Sequence, residues 1–119
     1  MRFVAGAVIV AVLLISLVVP AGSADARLDG FAKCLAERKA TMYGSFYCIH
    51  CDDQKKLFGT SFQYIPYVEC SFPGSREMTY SCRVAQIHRT PTWIFASGDR
   101  LEGTQQLQKL AEKTGCPLR

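Results

Sequence analysis

All six cysteines fall well behind the N-terminus, at positions 34, 48, 51, 70, 82 and 116, and they follow an apolar run from Val4 to Val19. That run comes after Met1 and Arg2, breaks at Pro20 and gives way to the small, polar stretch "AGSADA". This is the layout of a secretory leader, with small residues suited to a peptidase cutting after Ala24 or Ala26. The run is long for a signal core yet short of the roughly 20 residues a spanning helix needs, so the alternative is an uncut membrane anchor. Residues 1–26 are therefore expected to be a signal peptide or N-terminal anchor, and residues 27–119 one small exported domain. A chain that short is marginal in buried area, and an even cysteine count in an oxidising compartment points to disulfides. Periplasm, or an equivalent lumen outside the cytoplasm, is the expected location.

The formal charge of +4 hardly changes on cleavage after Ala26, because Arg2 and Asp25 leave together. Basic residues are scattered with acids between them, without a stripe to track a phosphate backbone, so no nucleic-acid partner is expected.

Periodicity divides the remainder into eight elements. Leu28, Phe31 and Leu35 share one face of a helix over residues 28–38. The aromatic stretch "ATMYGSFY" reads as a strand ending at Cys48, and "DDQKKLFG" as a helix stopped by Gly59. "YIPYVEC" is a second strand, which Pro66 assigns to an edge or a strand start. "REMTYSCRVAQIH" has helical spacing, "TPTWIFASGDRLEG" is a hairpin turning at Gly98 and Asp99, and "TQQLQKLAEKTG" is a helix with Thr104 as its cap and Gly115 as its stop. Alternation followed by a hairpin implies an α/β fold: a mixed sheet of about four strands with helices on both faces.

"CIHC" sits where a strand ends and a helix begins. Disulfide exchange needs an accessible thiolate and a second thiol near enough to resolve the mixed disulfide, and this spacing at a helix mouth supplies both. Cys48 is the candidate nucleophile, favoured by unsatisfied amides and the helix dipole, and Cys51 the resolving thiol. His50 is the candidate tuner of Cys48. A fall in the Cys48 pKa from about 8.5 to about 5.5 would raise the thiolate roughly 30-fold and lower its intrinsic nucleophilicity roughly 20-fold, leaving the rate of attack nearly unchanged. The same shift favours the reduced form by about 4 kcal/mol, so the site leans toward donating disulfides. The plainer readings are weaker. A two-residue loop is a poor staple. Zinc would need a second ligand pair that the chain lacks, so neither a metal nor a cofactor is expected. Asp52 and Asp53 suit the start of a helix, His88 a surface, and Tyr43, Phe62, Trp93 and Phe95 the core or the groove beside the motif.

The stretches "FAKCLAERKATMYGSFYCIHCDDQKKLFG", "YIPYVEC", "RTPTWIF" and "GDRLEGTQQLQKLAEKTGC" resemble the thioredoxin-like domain that accompanies bacterial and plant vitamin K epoxide reductase homologues. The likeness covers essentially all of residues 27–119, and the expectation is a version detached from that family's four-helix membrane domain. Tyr47 and Ile49 stand where family members commonly have the Trp and Pro of "WCPHC", a departure that bears on redox poise. The resemblance implies a thioredoxin fold and disulfide exchange with substrate proteins. It also implies reoxidation by a separate quinone-linked membrane protein of the vitamin K epoxide reductase type. Thr90 and Pro91 match the family's substrate-binding cis-proline position, although Pro91 also suits an ordinary trans strand start. Reductant thioredoxins usually carry a buried Asp where this chain has Met42, which again favours an oxidising role.

Four cysteines remain, with three connectivities open. A Cys70 to Cys82 bridge would close the turn-rich loop between them, and a Cys34 to Cys116 bridge would tie the first helix to the last; unpaired, the latter two would be buried thiols. The rival functions are a reductase or isomerase using the same residues, and a non-catalytic module that binds unfolded segments.

Overall fold

The computed structural model describes residues 26–118 together with Ile15 and Ser16, and the expected leader otherwise lies outside the described residues. The element order is α1 (Ala26–Glu37), β1 (Thr41–Gly44), α2 (Ile49–Phe58), a 3-10 segment (Gly59–Tyr64), β2 (Tyr67–Glu69), α3 (Tyr80–Val84), β3 (Thr92–Ile94), β4 (Arg100–Glu102) and α4 (Leu107–Thr114). The strands form one mixed sheet in the order β2-β1-β3-β4, with β1 and β2 parallel and the other pairs antiparallel. This is an α/β thioredoxin-like fold.

Strand alternation sorts the side chains into two cores. On one face Met42 stands opposite Trp93, and Trp93 opposite Leu101. Phe31, Ala32 and Leu35 of α1, Phe58 of α2 and Leu110 of α4 bury against that row. On the other face Tyr43, Val68 and Ile94 pack over Cys70, Cys82 and Ile87, which α3 and its flanks supply. Helices therefore cover both faces. Phe95 is buried and Phe62 packs half-buried against the larger core, with its ring 6.0 Å from that of Phe58. Pro66 lies at the edge of the sheet, where its missing N–H is harmless, and its carbonyl accepts the Met42 N–H at 2.9 Å.

Two local expectations are corrected, and one short segment is added. The third helix has only five residues, because Thr79 is held by Cys70 and Glu69 of the preceding strand and Gln86 turns into a left-handed conformation at φ 55°. A 3-10 segment follows Gly59; Ser61 is fully buried within it and donates to Asp29 of α1 at 2.6 Å. Thr104 does not cap the last helix. That helix starts at Leu107 behind Gln106, and the Thr104 hydroxyl donates instead to the carbonyl of His50 at 3.0 Å. Gly115 does stop it, at φ 76°. None of the helices among the described residues is long and apolar enough to cross a membrane.

Candidate active site

The chain leaves β1 at Gly44, turns through Ser45 to Tyr47 and enters α2 with Cys48 as the N-cap, in extended conformation at φ −96° and ψ 116°. In place of the usual capping oxygen, the Cys48 sulfur accepts the Cys51 N–H at 3.3 Å. The turn is pinned from β2: Glu69 Oε1 accepts the Phe46 N–H at 2.9 Å, and the hydroxyls of Ser45 and Ser71 meet at 2.6 Å. Cys48 is therefore set at the helix mouth by neighbouring strands as well as by its own helix.

The two thiols are free but differ in environment. Cys48 is half-exposed and Cys51 fully buried. Burial pushes the Cys48 thiol up, but hydrogen bonding with the side chains of Thr90 and Cys51 and with the backbone N–H groups of Cys51 and His50 outweighs it, and the pKa falls below its ordinary 9.0. Cys51 is pushed up to about 11 by burial and by its hydrogen bond with Cys48. One member of the pair ionises more easily than an ordinary thiol and the other less easily.

Thr90 and Pro91 lie against this pair. The peptide bond between them is cis, Pro91 is fully buried, and the Cys48 thiol donates to the Thr90 carbonyl at 3.3 Å. His50 reaches Cys48 through its backbone N–H, while its exposed imidazole lies with Nδ1 3.8 Å from Asp53. Cys70 is bridged to Cys82, and Cys34 to Cys116. The first bridge closes residues 70–82, whose Gly74 N–H donates to the Tyr47 hydroxyl at 2.8 Å. Trp93 is buried behind the motif, its indole N–H donating to Gln54 at 3.0 Å.

Two features were missed at the level of sequence. Gln54 is fully buried and joins α2 to Trp93 and Gln105. Its signal was its place one turn after Cys51, on the buried face of the helix. The second is the pair formed by Tyr67 and Glu69, signalled by the small residue Gly44 opposite Glu69 in the register.

No family model matches the chain. Over 91 residues, 73% of this chain, it is 41% identical to thiol-disulfide oxidoreductase LTO1 of Arabidopsis thaliana. The matched part is 24% of that protein, so the chain spans about a quarter of the length of the curated relative it matches. By its fold and by this likeness, the chain is a thioredoxin-fold relative of a thiol-disulfide oxidoreductase.

Proposed function

We propose that this protein is a thiol-disulfide oxidoreductase acting outside the cytoplasm, where the Cys48 and Cys51 pair oxidises substrate proteins. The observation that carries this reading is the contrast between the two sulfurs: a half-exposed Cys48 with a lowered pKa, against a fully buried Cys51 at about 11. In the oxidising direction a substrate thiolate attacks Cys48 of the Cys48 to Cys51 disulfide. A substrate to Cys48 bond forms, the bond to Cys51 breaks, and Cys51 takes up a proton. A second substrate thiolate then attacks its partner sulfur, the substrate disulfide forms, and Cys48 departs as a thiolate. Two electrons are left on the pair, and a quinone-linked membrane protein of the vitamin K epoxide reductase type removes them. The ease of ionising Cys48 stabilises the reduced form and so supports the oxidising direction. Residues 1–26 deliver the domain as a signal peptide or anchor it.

Substrate binding is supported by the surroundings of Cys48. A groove of about 380 Å³ runs beside it, lined among others by Ser45, Tyr47, Ser71, Arg76, His88 and Thr90. Tyr47 of that lining is exposed, as are Phe46, Ile49 and Phe72, which adjoin Cys48 or groove residues in the chain and offer apolar surface suited to unfolded chain. Thr90 presents its backbone for strand-like pairing with an extended segment.

The test is oxidation of reduced, unfolded ribonuclease by the oxidised protein, beside a redox titration in glutathione buffers. Wild type should form substrate disulfides and Cys48→Ser should form none, with a midpoint well above about −230 mV. A midpoint near −270 mV would support reductase work instead. Undiminished action of Cys48→Ser on unfolded substrate would support the binding-module reading.

A further inference from the structure

A buried thiol that must gain and lose a proton needs a route to water. Cys51 has no exposed surface, and during turnover its outward side is closed by Cys48 and whatever substrate sulfur Cys48 carries. The other side opens onto Gly44. A Cβ placed on Gly44 would stand 3.3 Å from the Cys51 sulfur and 3.0 Å from the Tyr67 hydroxyl, so thiol and phenol border the same small space, which is there because residue 44 has no side chain. Tyr67 donates a short hydrogen bond to Glu69 Oε2, two residues along the same edge strand. Glu69 is partly exposed and reaches the surface at the Phe46 N–H. Lys55 of α2 lies 4.5 Å over the Tyr67 ring, so a cation faces this phenol from the helix that carries Cys51. Burial and the Glu69 carboxylate both push the Tyr67 pKa far up, which keeps the phenol protonated.

We propose that Tyr67 and Glu69 form the proton path of Cys51. In the resolving step the Cys51 S–H proton crosses the space beside Gly44 by way of a water molecule, thiol and phenol making no direct hydrogen bond, and reaches Tyr67 Oη as the phenol proton passes to Glu69 Oε2. The Cys51 sulfur bonds to Cys48, the bond from Cys48 to the foreign sulfur breaks, and that sulfur leaves with the electron pair as a thiolate. Glu69 then releases its proton to water. When a substrate thiolate instead opens the Cys48 to Cys51 disulfide, the same path runs backwards and protonates the departing Cys51. The acid that Met42 does not supply on β1 thus arrives from β2, by way of a phenol.

The inference rests on the disulfide-exchange reading, and one experiment separates the two. Reduced protein is mixed with the aromatic disulfide 5,5′-dithiobis(2-nitrobenzoic acid) in a stopped-flow cell: the first thiolate released reports attack by Cys48, the second resolution by Cys51. Tyr67→Phe and Glu69→Gln should leave the first release within about twofold and slow the second by at least about tenfold near neutral pH. The second release should recover toward the wild-type rate at strongly alkaline pH, where hydroxide replaces the missing base. Glu69→Gln keeps the length of the side chain and one acceptor oxygen, enough for the Phe46 N–H or the phenol but not for both, so the readout that a purely structural role would not give is the recovery of the second release at alkaline pH. The double variant should be no slower than the slower single one, because one path is cut twice. Unchanged second release in both folded variants overturns the proton path while the redox reading stands; absence of the first release from wild type overturns both.

Discussion

Cys48 and Cys51 are the same residue type, and their chemistry diverges because one sulfur is half-exposed with hydrogen bonds that favour its thiolate, while the other is fully buried. Alkylation by iodoacetamide as a function of pH should give a Cys48 midpoint below 9.0 and, in a Cys48→Ser background, a Cys51 midpoint still raised above 9.0 by burial but lower than the value of about 11 it has beside Cys48. His50→Ala should hardly move the Cys48 midpoint, since the donor facing that sulfur is the backbone N–H of His50. His50→Pro deletes the donor within the first turn of α2, where the N–H has no intrahelical acceptor to lose, and should raise it. The same shifts govern stability. Above the folded pKa of Cys48 and up to 9.0 the unfolded chain binds more protons, so stability of the reduced form rises with pH. Between 9.0 and about 11 the folded chain retains the Cys51 proton that the unfolded chain has lost, so stability falls. Urea midpoints of the reduced protein should therefore peak near pH 9, and a Cys48→Ser, Cys51→Ser variant should lack this feature.

Among the elements, α2 carries the chemistry and is held by one polar side chain. Gln54 donates to the Gln105 carbonyl at 2.9 Å and accepts from the Gln105 N–H at 2.7 Å and the Trp93 indole at 3.0 Å. Gln54→Leu keeps much of the volume but leaves those partners unsatisfied in the interior, at about 1–3 kcal/mol for each such group. A loss of about 3 kcal/mol or more in urea denaturation is expected, with attack by Cys48 slowed as the helix start loosens. No hydropathy pattern identifies this glutamine, because a lone polar residue in a short helix reads as surface. The shortened third helix was hidden for a similar reason. Its spacing was helical from Met78 onward, but Thr79 spends its hydrogen bonds on β2. By contrast, the start of α2 at the cysteine motif and the stops at Gly59 and Gly115 were legible, since they depend on local backbone chemistry.

At the scale of the molecule, two bridges restrict a small chain. The one between Cys34 and Cys116 spans 82 residues and ties α1 to the end of α4, while that between Cys70 and Cys82 spans 12. Loop-closure entropy assigns them about 4.5 and about 3 kcal/mol respectively. In a background with Cys48 and Cys51 replaced by serine, to prevent exchange, removing the first bridge by paired alanines should lower the urea midpoint more than removing the second. The second deletion should instead disturb the groove, because residues 71–78 supply part of its wall.

The sequence by itself determined the order of the elements, the alternation that builds a two-faced sheet and the placing of a two-cysteine motif at a strand-to-helix turn. All of these follow from neighbours a few residues apart. Only the tertiary structure decided what surrounds each sulfur: Thr90 from 42 residues away against Cys48, and Tyr67 across Gly44 from Cys51. The physical reason is that ionisation of a thiol depends on the donors, charges and solvent within a few ångströms of it, and chain folding brings those from strands that local patterning cannot bring together.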